Sequence, residues 1–117
     1  MYENNTSLRS EKSFQSIELL LSKHPKILAE LFDSHQARLK ASADLILDQC
    51  RGFSSGEILL LRICLDLWNG SGNVKLCEIW NTLDSDNFER FVLSIGYLYY
   101  SFEKFPATIK PPHFFSV

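Results

Sequence analysis

The segment between Ser54 and Gly70 constrains the fold more than any other part of the chain. Ile58, Leu59, Leu60, Leu61, Ile63, Cys64, Leu65, Leu67 and Trp68 cover nearly every face of a helix here. A helix that is apolar all round is stable in water only when neighbours surround it. The helix must therefore be central, and the rest of the chain must wrap it. Its ends are marked as well. Ser54-Ser55-Gly56-Glu57 reads as a capping box, and Gly70-Ser71-Gly72-Asn73 is a sharp stop. Leu60, Leu61, Cys64 and Trp68 are expected to be almost fully buried. The polar exceptions on this helix are Glu57, Arg62 and Asp66.

The remaining periodicity is also helical. Phe14, Ile17, Leu20 and Leu21 form a first stripe, ending near Lys23 because Pro25 disfavours a helical His24. Pro25 suits the first position of a second helix, with Ile27, Leu28, Leu31, Phe32 and His35 on its stripe. Ser42 either caps a short separate helix carrying Leu45, Ile46 and Leu47, or the segment runs on unbroken to about Cys50. Leu76, Ile79, Trp80 and Leu83 give one short helix. The Asp86/Glu89 pair, after the Asp84-Ser85 turn, opens a longer one that ends at Phe105-Pro106. Strand signals are missing, and no internal repeat is present.

At 117 residues the chain makes one core, not two. The expectation is an all-α, single compact domain of about five helices. Residues 1–9 form a flexible N-terminus, 10–105 the helical domain, and 106–117 an extended aromatic tail.

Composition narrows the function classes. Hydrophobic residues are 45% and charged residues 22%, which excludes disordered and low-complexity classes. No apolar run is long enough to span a membrane, and MYENNTSLRSEKS lacks a signal-peptide core, so no membrane association is expected. The net charge of -2 carries no basic field for nucleic acid. Cys50, Cys64 and Cys77 are an odd set without a CxxC, so they read as buried thiols of a cytoplasmic protein.

Nucleotide-binding and hydrolase motifs are absent, and His24, His35 and His113 lie far apart. No catalytic residues, metal ligands or cofactor are assigned. His35 reads as a partly buried, satisfied histidine. The Gly-rich loop resembles part of an EF-hand, with Asn69, Ser71, Gly72, Val74 and Glu78 at matching positions. Leu67 stands where the first carboxylate is needed and Lys75 stands at a ligand position, so no calcium dependence is expected.

Residues 57–101 resemble the trihelical core of a helix-turn-helix domain, with the helix opened by Asp84-Ser85-Asp86-Asn87 in the recognition position. That resemblance implies a transcriptional regulator in which Asn87, Arg90 and Lys75 would meet nucleic acid. Against it, residues 75–104 hold only Lys75, Arg90 and Lys104 beside Glu78, Asp84, Asp86, Glu89 and Glu103, too few cations for phosphate contacts.

Nine of the fifteen aromatic residues fall between Phe88 and Phe115, which makes this third the favoured place for function. Phe88, Phe91, Val92, Ile95, Leu98, Tyr99, Phe102 and Phe105 share one face of the last helix, expected to be core. Leu93, Tyr97 and Tyr100 project from the opposite side, and Gly96 between the faces permits close helix approach. The favoured expectation is a non-enzymatic protein-interaction module. It would bind a protein partner, or a second copy as a homodimer, through Leu93, Tyr97, Tyr100, Phe114 and Phe115. By analogy of size and missing catalytic motifs, such a bacterial or phage protein would be a phage- or plasmid-type inhibitor of a host protein. The alternative is that the first helix folds back and covers the stripe within one chain.

Overall fold

The computed structural model describes residues 2–33 and 38–100, with backbone alone for residues 2–10. Among the described residues there are six helices and no strand. They are α1 (Tyr2–Leu20), α2 (Pro25–Leu31), α3 (Ala43–Gln49), α4 (Ser55–Asn69), α5 (Leu76–Thr82) and α6 (Ser85–Tyr100). The all-α single globule expected from the periodicity is what forms. His35, Phe102, Phe105, Phe114, Phe115 and the 106–117 tail lie outside the described residues.

The centre is α4, which packs against α1, α2, α3 and α5. Leu59, Leu60, Leu61, Ile63, Cys64 and Leu65 are all buried, on every side of the helix. Its capping box is complete. The Glu57 N–H donates to Ser54 Oγ at 3.2 Å, and the Ser54 N–H donates to Glu57 Oε1 at 2.9 Å. Gly70 ends the helix at φ +80°, a left-handed conformation that glycine adopts without steric cost. Trp68 departs from expectation, being half-buried. It sits near the end of α4 and meets Phe32 edge-on at 5.0 Å, and Phe32 meets Phe14 the same way.

α2 and α3 are separate helices. Phe32 leaves α2 in an extended conformation and forms an isolated antiparallel bridge with Leu39. The Lys40 N–H donates to the Leu31 carbonyl, which closes the connection. Ser42 caps α3, accepting from the Leu45 N–H. The start of α1 also differs from the pattern. The helix begins at Tyr2, well before the Phe14 stripe, and buries Ile17 and Leu20 together with Leu21 just beyond its end.

The largest departures are in the last two helices. Only Ile79 of α5 is buried. Leu76 and Trp80, expected on the same core stripe, are 71% and 62% exposed, and Cys77 is exposed too. On α6, Ile95 and Tyr99 were expected in the core and are exposed, whereas Ser94 is fully buried. Relative to the face of highest hydrophobicity, α6 is turned by about a quarter-turn. The reason is its neighbour. α6 packs mainly on α1, in a seam where the described cross-helix hydrogen bonds come from small or polar side chains. In that seam Ser16 Oγ donates to the Ser94 carbonyl at 3.1 Å, and the Tyr97 hydroxyl donates to Gln15 Oε1.

Candidate functional site

The rotation of α5 follows from the polar exceptions of α4. Arg62 and Asp66 lie one turn apart beside the loop that follows the helix. Asp66 Oδ1 accepts from the N–H groups of Gly72 (2.8 Å) and Asn73 (3.1 Å), and Oδ2 accepts from that of Val74 (3.0 Å). Arg62 donates to the carbonyls of Gly72 and Asn73, and its two terminal nitrogens reach both oxygens of Glu78 at 3.0 and 3.1 Å. The loop approaches so closely that a Cβ on Gly72 would lie 1.8 Å from the Arg62 carbonyl oxygen. A bidentate guanidinium–carboxylate pair fixes direction as well as distance. With Glu78 and Ile79 facing α4, the opposite side of the helix, Leu76, Cys77, Trp80 and Asn81, faces solvent.

The same clasp accounts for the EF-hand-like spacing. The Arg62 hydrogen bonds, and then the Lys75 backbone N–H, hold the Glu78 carboxyl below the ordinary range. Asn69 accepts from Ser71, and Gly72 serves the tight approach to α4. The matching residues are thus engaged within the chain. Among the described residues no cluster of three or more His, Cys, Asp or Glu is placed to hold a metal.

A second polar junction lies where α2, α4 and α6 begin. His24, Ser54, Glu57, Leu60, Asp84 and Asn87 line a cleft of about 220 Å³. The cap of α6 is Asp84, two residues before the Asp86 that the pattern suggests, and it accepts from the Asn87 N–H at 2.8 Å. Asn87 Oδ1 accepts from Arg90 at 2.8 Å and pairs with His24 Nε2 at 2.9 Å. Arg90 also meets Asp86 at 3.1 Å and is only 11% exposed. Its hydrogen bonds hold the Asp86 carboxyl down. Of the three residues that the helix-turn-helix resemblance marks, Asn87 and Arg90 are therefore bound inward, and only Lys75 is exposed.

The interaction stripe is placed differently from expectation. Leu93, Tyr97 and Tyr100 are half-buried, and the Tyr97–Gln15 bond turns that side of α6 toward α1. Apolar surface appears elsewhere, at Leu76 with Trp80 on α5 and at Ile95 with Tyr99 on α6, each pair spaced i, i+4. The thiols divide likewise. Cys50 and Cys64 are buried, and burial raises both above the ordinary thiol range. Cys77, expected to be buried, is exposed beside Leu76. No described helix is long and apolar enough to cross a membrane.

Comparison with family models, with curated proteins and with solved structures finds no match to this chain.

Proposed function

We propose that this chain is a non-enzymatic protein-interaction module whose binding face is the outer side of α5. One observation carries the reading: Leu76 and Trp80, 71% and 62% exposed, stand one turn apart on a helix whose rotation is set by the Arg62–Glu78 pair. Scattered apolar residues on a surface mean little, but Trp is enriched at the energetic centres of interfaces, and here an adjacent exposed Leu widens the patch. The pair is also pre-organised. Ile79 and the clasp hold α5 in place before any partner arrives, which lowers the ordering cost of binding.

This face replaces the Leu93/Tyr97/Tyr100 stripe in the proposal, since α1 lies against that side of α6. The helix-turn-helix alternative draws no support from Asn87 and Arg90: Asn87 pairs with His24 and Arg90, and the terminal nitrogens of Arg90 are held by Asn87 and Asp86 inside the chain. Inhibition of a host protein in a reducing cytoplasm is the finer form of the proposal, and the unpaired thiols fit such a compartment.

The test is affinity capture from the cells that express the protein, with the wild type and Trp80→Glu compared. The expected result is a stoichiometric protein retained by the wild type and lost with Trp80→Glu, at unchanged Tm. Identical recovery by both overturns the assignment of the face.

A further inference from the structure

We infer that residues 105–117 of this chain dock in the cleft between α1 and α2, with Phe114 and Phe115 against Phe14 and Leu28. This is a contact of the chain with itself, separate from the outer face of α5.

The first argument is the shape and floor of the cleft. It has a volume of about 420 Å³, and Phe14, Leu28 and Phe32 form its apolar floor. Phe32 is buried, but Phe14 and Leu28 are half-buried, so part of that floor meets water. A hollow of this size takes a pair of phenyl rings. Phe14 already meets Phe32 edge-on at 5.0 Å, the geometry in which a further ring adds favourably.

The second argument is charge. Glu18, Asp33 and Lys40 stand exposed around the floor. Among the described residues none of these three side chains is held in an ion pair. The rim therefore sets two carboxylates against one ammonium. The segment 105–117, FPATIKPPHFFSV, brings Lys110 and contains no Asp or Glu. Pro106, Pro111 and Pro112 oppose a helix there, and an extended chain is the form that lies along a cleft between two helices.

The third argument is reach. Tyr97 bonds Gln15 and Asn87 bonds His24, so α6 runs antiparallel to α1 and ends beside the Phe14 end of it. The chain leaves α6 with one helix to round, about 10–12 Å across. Residues 101–113 span up to about 43 Å when extended, which is ample. The exposed Leu76 and Trp80 lie at the opposite end of α6, about 24 Å of helix away. Ile95 and Tyr99 are nearer, but they stand on the convex side of a single helix. Their neighbours one turn away, Phe91, Val92 and Leu98, bring no carboxylate for Lys110.

Paramagnetic broadening in the full chain tests the inference. A nitroxide is placed at Ser116→Cys, with Cys77→Ser removing the exposed thiol, while Cys50 and Cys64 are buried. The amide signals of Leu28, Ala29 and Lys40 are expected to lose most of their intensity, and those of Leu76 and Trp80 to keep it. The loss is expected to disappear with Phe114→Ser and Phe115→Ser together, and to shrink with Glu18→Lys and Asp33→Lys together. Broadening centred on α5 or on Ile95 and Tyr99, or no broadening of the cleft, overturns the inference. So does an effect at the cleft that survives either pair of substitutions. An equal effect in a mixture of spin-labelled chains with unlabelled isotope-enriched chains also overturns it, because the segment then reaches a second copy.

Discussion

α4 and α6 are of nearly equal length, 15 and 16 residues, and both are rich in large apolar side chains. Their fates differ. α4 buries six of its side chains, and on α6 only Ser94 is fully buried among the described residues. The difference teaches what an apolar pattern decides. On α4 no rotation about the axis would keep the apolar residues out of water, so the pattern alone forces burial. On α6 several rotations hide some aromatic residues and expose others. The outcome is then set by whichever face fits the partner helix most closely. Ser16 and Ser94 let the α1 and α6 backbones approach, and Gln15 with Tyr97 satisfies the polar groups trapped there.

The widest contrast is expected from truncating one side chain on each helix. Leu61 is fully buried, and Leu61→Ala should cost about 2–5 kcal/mol through lost burial and the cavity left behind. Ile95 is 41% exposed, and Ile95→Ala should cost less than about 1 kcal/mol. Urea unfolding of both variants checks this. Equal losses would break the comparison by showing that Ile95 is core.

Gly72→Ala probes how α4 imposes its order on α5. The added Cβ would lie 1.8 Å from the Arg62 carbonyl oxygen, which is backbone and cannot swing aside. A loss of about 2–4 kcal/mol is expected, by displacement of the loop. Because the clasp then loosens, the Trp80 environment should change as well, visible in its fluorescence when Trp68 is replaced by Phe. A neutral Gly72→Ala would mean that the loop is not held against α4.

Ser94→Leu sharpens the reading of α6. By pattern alone the substitution adds a helix-favouring apolar residue to a helix. In the seam it adds volume where Ser16 and the Ser94 carbonyl are in contact at 3.1 Å, and a loss of about 1–3 kcal/mol is expected. A rise in Tm on Ser94→Leu would place this side of α6 in open space and restore the original face assignment.

These particulars show how much was legible beforehand. The ends of α4, the start of α2 at Pro25 and the all-α class could be read because caps, Gly and Pro act within a few residues, and the structure decides for the cap at Ser42 over an unbroken helix. The exposed Leu76 and Trp80 could not be read that way. With Ile79 and Leu83 they make a regular core stripe, and the pair that overrides it, Arg62 with Glu78, joins residues 16 apart. One signal was present: Arg62 and Asp66 on an otherwise apolar helix needed partners, and the unpaired backbone of the adjacent Gly-rich loop was the nearest supply. Ser94 left no comparable trace, since a serine on an aromatic helix looks like an outward residue. The half-buried setting of Leu93, Tyr97 and Tyr100 was hidden for the same reason, because it depends on the rotation of α6.

The smallest expected effect is electrostatic, and it compares the carboxylates anchored to the two helices. Glu57 and Glu78 bind groups on or beside α4, and Asp86 binds Arg90 on α6. The Ser54 backbone N–H leads in holding Glu57 down, and Arg62 leads for Glu78, as Arg90 does for Asp86. A carboxyl depressed in the folded state binds fewer protons there than in the unfolded chain, where a Glu titrates near about 4.3. Its contribution is complete above that value and is lost as the pH falls through the folded-state range. Stability should therefore decline on acidification below about pH 5, with no comparable loss between about pH 6 and 8 from these groups. Glu78→Gln should lower Tm at neutral pH and flatten the acid limb, because the proton-linked part is gone before titration begins. Asp86→Asn should flatten it less, since Asp86 is 55% exposed and its pairing with Arg90 is better screened than the two-pronged Glu78–Arg62 contact. Thermal melts of the wild type and both variants from pH 3 to pH 8 give the three slopes. An acid limb unchanged by Glu78→Gln would show that the clasp does not hold α5 through its carboxylate, and the outward rotation of Leu76 and Trp80 would then rest on Ile79 and the Asp66-bound loop alone.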